Sequence, residues 1–307
     1  MRQSSASFHL LAVLLITPVL GNAQNTSANT WAVTAQSRYQ VTPNVTYQIQ
    51  NGYENKLDIY SRKDASGPQP TLFNIHGGGW TGGTKEAAFM AVVPWLEMGW
   101  AVVNVEYRLA KISHAPAAVE DCLCALRWVA GHASEYHLDP SRIVASGDSA
   151  GGHLALMTGF TPDSAGLDRE CPPNDPKNAL PKVAAIVNWY GITDVVDLLD
   201  GPNRKTYAVA WLGSALNREE IARRVSPLTY VRSGLPPVLS IQGDSDPTVP
   251  YTHSLRLQDA LKKAGVDTEL ITIPGGKHGN FKAEERVRIY EGIRAFLDRH
   301  GLPSHVQ

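Results

Sequence analysis

The stretch Gly147-Asp148-Ser149-Ala150-Gly151-Gly152 decides how the rest of the chain is read. It fits G-x-S-x-G, the pattern of a serine lifted on a sharp turn between a strand and a helix. Ser141-Arg142-Ile143-Val144-Ala145-Ser146 before it is an apolar run of strand length. His153 to Gly159 after it reads as helix, so the local context is the one the motif requires. Small residues at Gly147, Gly151 and Gly152 allow strand and helix to approach closely. Ser149 is then expected at the top of the turn, with a helix N-terminus behind it that favours negative charge. The competing reading is a glycine-serine loop that matches by chance, and the rest of the chain has to decide between them.

A serine hydroxyl is a weak nucleophile and needs a base, and the base needs a carboxylate to hold its tautomer. In the strand-turn-helix setting the order is serine, acid, histidine. Downstream of Ser149 lie His153, His253, His278, His300 and His305. His153 is expected to pack on the helix after the turn, His253 starts a helix, and His300 and His305 fall in the closing helix and tail. His278 alone sits in a glycine-rich turn after a strand, in Pro274-Gly275-Gly276-Lys277-His278-Gly279. It is the expected base. The acid is read as Asp246 in Gly243-Asp244-Ser245-Asp246-Pro247, with Asp244 as the fallback and Asp194 as a weaker rival.

Attack on a carbonyl makes an oxyanion that needs preorganised donors. The N–H of Ala150 is one candidate. The others come from His76-Gly77-Gly78-Gly79-Trp80, which follows an early strand. Gly78 and Gly79 are the chosen donors, with Trp80 N–H as an alternative, and His76 is expected to bond within the loop. Trp80, Trp189 and Tyr190 are candidate cleft aromatics that would bind substrate, each with ordinary packing as its competing reading.

These stretches, together with Glu106-Tyr107-Arg108-Leu109-Ala110, resemble the α/β-hydrolase esterases related to hormone-sensitive lipase. More narrowly, the chain is similar to the feruloyl- and acetyl-xylan-esterase-like carboxylesterases, over roughly residues 45–299. The resemblance implies an α/β-hydrolase fold and a Ser149, Asp246, His278 triad. It also implies a serine esterase that works through an acyl-enzyme without metal or organic cofactor. Its expected substrate is a small-molecule or polysaccharide ester, with acetyl or feruloyl esters of carbohydrates preferred. Two departures matter. The acid motif reads Asp246-Pro247-Thr248-Val249-Pro250 rather than D-P-L-x-D-E, and no long N-terminal helical cap segment precedes the first strands. A lid must then come from residues 160–182 or 191–235. Alternative readings are a generic short-chain acyl esterase or lipase, an arylformamidase-like amidase, or a non-catalytic binding protein on the same fold.

The remainder of the chain is consistent with this. Its 307 residues are 43% hydrophobic and 19% charged, enough for one large α/β domain. A net charge of -1 predicts no broad attraction to nucleic acid or to an anionic membrane. Strands alternate with helices, which predicts a mostly parallel central sheet with helices on both faces and a small cap region. Arg2, the apolar run Leu10 to Leu20 and the small residues Gly21 and Ala23 form a secretory signal pattern. The expected division is a signal peptide over 1–23, an irregular leader over 24–44 and a catalytic domain over 45–307. The mature protein is then secreted or periplasmic, with no membrane association after cleavage. Export permits a disulfide, so Cys171 is free to pair with Cys122 or Cys124, or all three thiols stay free.

Overall fold

The computed structural model describes residues 33–34, 36–169, 171 and 180–303, so the expected signal peptide lies outside the described residues. The chain divides into two units, Met1–Ser37 and Arg38–Gln307. Of the first unit, residues 33–34 and 36–37 are helical. The second unit carries the fold.

A hairpin opens it. β1 (Tyr39–Gln50) turns through Asn51 and Gly52, at φ 51° and 80°, into antiparallel β2 (Tyr53–Arg62). Two consecutive left-handed residues make the turn that matches strand twist, as Asn-Gly predicts. The irregular leader expected over 24–44 is therefore shorter than read. β2 runs on to Arg62, and its last residues pair Tyr39 to Thr42 as strand. Tyr39 also anchors through its hydroxyl, which donates to Leu96 O at 2.6 Å.

The chain then alternates: β3 (Gln69–Ile75), α1 (Phe89–Glu97), β4 (Ala101–Val105), α2 (Ala117–His132), β5 (Leu138–Asp148), α3 (Ala150–Phe160), β6 (Ala185–Trp189). Residues 191–235 hold two short helices, α4 (Thr206–Leu212) and α5 (Arg218–Arg224). β7 (Val238–Gly243), α6 (Thr252–Lys263), β8 (Thr268–Ile273) and α7 (Ala283–Arg299) close the fold. The sheet order is β1-β2-β4-β3-β5-β6-β7-β8, antiparallel over the first three strands and parallel across the rest. This is the α/β-hydrolase fold. α1 begins only at Phe89, because residues 85–88 are pinned as a turn. Lys85 is buried, its Nζ lies 2.8 Å from Asp58 Oδ1, and its N–H donates to Glu106.

Alternation along each strand sends side chains to two cores. Phe73, Val103 and Ala145 pack against α2, α3 and Leu257 of α6. Leu72, Val102 and Val144 face Trp95 of α1 and Ile289, Ile293 and Phe296 of α7. Both faces of the strands are thereby covered, which is why they read as continuous apolar runs. Among the described residues no helix is long and apolar enough to cross a membrane.

Cys124 on α2 is bonded to Cys171, 47 residues away, and Cys122 stays as a buried free thiol whose pKa burial raises well above its usual value. Neighbours two apart on a helix face different ways, so only one of them meets the loop. Replacing Cys124 and Cys171 together by Ala should lower unfolding stability by about 2–4 kcal/mol, read from the denaturant midpoint. An unchanged midpoint would show that the bridge closes no costly loop.

Candidate active site

Parallel strands end on one edge of a sheet, and ligands bind there in open α/β folds. Here β3, β5, β6, β7 and β8 end respectively at the glycine loop, at Ser149, at Tyr190, at the Asp244–Asp246 turn and at the His278 turn. In the β3–β5 register Ile75 pairs with Gly147, which sets the glycine loop beside the serine turn.

The turn itself is tight. Ser149 has φ 55° and ψ −117°, a conformation that costs an L-residue about 1–3 kcal/mol. Its N–H donates to Trp189 O at 2.9 Å, and its carbonyl accepts the His153 N–H at 3.0 Å. A Cβ on Gly151 would fall 2.0 Å from Ile75 O, so no larger residue fits there.

Ser149, His278 and Asp246 meet. Ser149 Oγ lies 2.9 Å from His278 Nε2, and His278 Nδ1 lies 2.8 Å from Asp246 Oδ2. A carboxylate only accepts, so Nδ1 carries the proton and Nε2 is left to accept from the serine hydroxyl. Asp246 Oδ1 takes the N–H groups of Thr248 and Val249 at 2.8 and 3.0 Å. Oδ2 also receives Gln242 Nε2 at 3.3 Å, and Ser254 holds Gln242 in turn at 2.6 Å. Burial pushes the Asp246 carboxyl up, but the His278 bond and charge with these two amides outweigh it, and its pKa lies below the usual value. Asp244 and Asp194 do other work. Asp244 accepts Gly275 N–H at 2.7 Å and so ties the acid turn to the histidine turn. Asp194 accepts from Arg256 at 2.6 Å.

The glycine loop folds against this pair of turns. Gly78 has φ 117°, its carbonyl accepts from Thr81 and Gly82 N–H, and a Cβ on it would lie 2.1 Å from Gly82 O. Gly77 N–H donates to Asp148 Oδ1 at 3.0 Å, which links the loop to the residue before Ser149. Burial raises the Asp148 carboxyl pKa. Among the described residues no backbone acceptor takes the N–H of Gly78, Gly79 or Ala150. His76 bonds within the loop, its Nδ1–H donating to Gly77 O at 2.7 Å.

One of the expected cleft aromatics differs from its reading. Trp80 is fully buried and lines no cleft. It stacks on Trp211 of α4 at 4.1 Å, and its Nε1–H donates to His153 Nδ1 at 3.2 Å. A large flat ring at the foot of a glycine loop gains more from burial against a second indole than from exposure. Trp189 is nearly buried, packed against Tyr290, and lines the same cavity as Tyr190. Tyr190 is half-buried, with its ring edge on the His278 imidazole at 4.6 Å. It also lines a cavity of about 510 Å³ between α1 and α7. Sequence reasoning missed Gln242, the Asp148–Gly77 link and the α4 contacts. The Gln242 signal was present, since an amide in a buried strand needs a polar partner.

His153 packs as expected, with a partner at each ring nitrogen. Nδ1 accepts from Trp80 and Nε2–H donates to Val225 O at 2.6 Å. Burial lowers its pKa from 6.5 to about 4, so it is neutral at pH 7. The folded state therefore binds fewer protons than the unfolded chain between pH 6.5 and about 4, and stability falls as pH drops through that window. The loss should amount to about 3 kcal/mol. Urea unfolding of wild type and His153→Gln across that window should show a flatter dependence in the variant; parallel curves would contradict the assignment.

Residues 57–261 match the BD-FAE family, and residues 218–306 match the TAP-like protein family. Among curated relatives, the esterase LipQ of Mycobacterium tuberculosis is 31% identical over 258 residues, covering 80% of this chain and 59% of that protein. The carboxylesterase NlhH of the same species is 32% identical, covering 68% and 66%. This chain spans about half to three-fifths of the length of the first relatives it matches. A truncated carbohydrate esterase from gut microbiota superposes with a TM-score of 0.73 at 28% identity, over 86% of this chain and 97% of that one. Est2, an esterase of Thermogutta terrifontis, superposes at 0.71 with 28% identity, over 88% and 94%.

Proposed function

We propose that this chain, which belongs to the BD-FAE family, is a secreted serine carboxylesterase that acts on acetyl or feruloyl esters of carbohydrates. The observation that carries the chemistry is the continuous relay from Ser149 Oγ to His278 Nε2 at 2.9 Å and from His278 Nδ1 to Asp246 Oδ2 at 2.8 Å. In this reading His278 takes the serine proton as Oγ attacks the ester carbonyl carbon. The carbonyl oxygen becomes an oxyanion held by the N–H groups of Gly78, Gly79 and Ala150. His278 then gives its proton to the departing alcohol, and an acyl-enzyme remains. Water enters, its oxygen attacks the acyl carbon as His278 takes one of its protons, and the second tetrahedral intermediate collapses as His278 returns that proton to Ser149 Oγ, releasing the acid. Asp246 keeps the imidazole oriented throughout and stabilises its charged form.

Carbohydrate as the alcohol is supported by the gut-microbiota carbohydrate esterase and by a bifunctional GH43-CE protein of Bacteroides eggerthii, which superposes at 0.72 over 85% of this chain. A second reading, a short-chain esterase of small esters, is favoured by the propionate- and butyrate-bound structures of Est2. Secretion rests on the signal pattern at residues 1–23.

Ser149→Ala should leave the fold intact and lower kcat by at least about 10⁴-fold, and Asp246→Asn should cost about 10⁴-fold through the wrong histidine tautomer. Both are measured on p-nitrophenyl acetate and butyrate, methyl ferulate and acetylated xylan. Acetate release from acetylated xylan supports the carbohydrate reading, and turnover of methyl ferulate shows that a feruloyl group is accepted. Turnover confined to p-nitrophenyl esters supports the second reading. Turnover surviving in Ser149→Ala would remove the nucleophile from the mechanism.

A further inference from the structure

The cavity of about 510 Å³ between α1 and α7 has the size of a small-molecule site, about 300–1,000 Å³. Two of its lining residues bracket the reacting atoms. Asp148 directly precedes Ser149, and its Oδ1 accepts Gly77 N–H of the glycine loop at 3.0 Å. Burial raises its carboxyl, against the Gly77 bond and the charges of His76 and His278. Tyr190 sets its ring edge on the His278 imidazole at 4.6 Å. The other end of the cavity opens to solvent. There Tyr290 of α7 is half-buried, and its Oη–H donates to Ala91 O of α1 at 3.4 Å. Arg286, one turn earlier on α7, is exposed and donates to Gly279 O at 2.7 Å. Its charge reaches both the Tyr190 and the Tyr290 phenols. Met90, at the start of α1, lines the mouth and is 74% exposed. The polar floor residues Asn74 and Ser146 donate to Asn104 Oδ1 and to Val187 O, so the charged groups Asp148 and Arg286 are the ones facing the space.

We propose that this cavity takes the alcohol part of the ester, and that this alcohol is a sugar unit packed on Tyr190 and Tyr290 with its hydroxyls toward Asp148 and Arg286. The proposal rests on the reading of the chain as a carbohydrate esterase in which His278 protonates the leaving group. The departing oxygen then lies at the imidazole, and the oxyanion lies on the glycine loop. The carbon skeleton behind the departing oxygen starts between the two, where Asp148 and Tyr190 line the cavity. An apolar alcohol would cover a carboxylate and a guanidinium without bonding either, which is costly. A sugar ring lays its C–H face on an aromatic ring, and its hydroxyls both donate to a carboxylate and accept from a guanidinium.

The test compares kcat/KM on acetylated xylobiose, p-nitrophenyl acetate and p-nitrophenyl butyrate for wild type, Tyr290→Ala, Tyr290→Phe and Met90→Trp. The first two esters differ only in the alcohol, and the last two only in the acyl group. Tyr290→Ala and Met90→Trp should each lower the ratio of acetylated xylobiose to p-nitrophenyl acetate at least about tenfold. The butyrate-to-acetate ratio should keep its wild-type value. Tyr290→Phe retains the ring and should retain both ratios. Free xylobiose should compete with p-nitrophenyl acetate in wild type, and at least about tenfold more weakly in Met90→Trp. Met90 is exposed, so its variant keeps the fold and the test stands even where Tyr290→Ala does not. A butyrate-to-acetate ratio that moves while the sugar ratio does not would assign the cavity to the acyl group and overturn the proposal. Equal losses on all three esters, or no change on any, also overturn it. Wild type active on p-nitrophenyl esters alone would instead overturn the carbohydrate reading on which the proposal rests, and wild type inert on all three would overturn the esterase reading itself.

Discussion

Ser149 holds a backbone conformation that an L-residue resists, and the rest of the site is arranged around keeping it there. The strain is held by hydrogen bonds on both sides, from its N–H to Trp189 O and from the His153 N–H to its carbonyl. It is also held by steric closure, since Gly147 and Gly151 bring the turn within van der Waals contact of Ile75 O. That contact is possible only because β3 lies directly beside β5 in parallel register. The same register starts the glycine loop at His76, one residue beyond Ile75. One backbone approach thus fixes the serine and the loop that faces it, and Gly77 N–H on Asp148 closes the link.

A second layer holds the acid and base. Asp246 is saturated with donors: two amides, the imidazole and the Gln242 amide. Such a carboxylate is held ionised and cannot rotate, which makes His278 Nδ1 a permanent donor. Asp244, which looked interchangeable with Asp246 in sequence, spends its carboxylate on Gly275 N–H and so fixes the distance between the two turns. Two aspartates two residues apart have different work because the turn points them to different neighbours.

Residues 191–235 are joined to the glycine loop through α4. His153, Trp80 and Trp211 form a buried joint in which the polar atoms of His153 are paired, so α4 is part of the same packed body as the glycine loop. A joint of this kind ties the position of α4 to that of the loop. Polar groups in such a setting are rigidifying because leaving any of them unpaired is costly.

The strand-turn-helix context, the order serine, acid, histidine and the glycine loop were all legible in the sequence. Each is a local pattern: period-two and helical hydrophobicity, glycine where a backbone must approach, and turns after strands. The helix after the turn was read only from His153, and the irregular leader was read six residues too long, because ends depend on what a neighbour offers to pair with. The structure alone decided between Asp246 and Asp244, between Cys122 and Cys124, and between a cleft and a core position for Trp80. Those choices turn on direction and partner across 30 residues or more of chain, as with Asp246 and His278, which local spacing does not encode. Sequence determined which reactive groups the chain carries. Tertiary structure decided which of several equivalent side chains come together, because parallel strands bring their ends to one edge and each turn there aims a single group at the next.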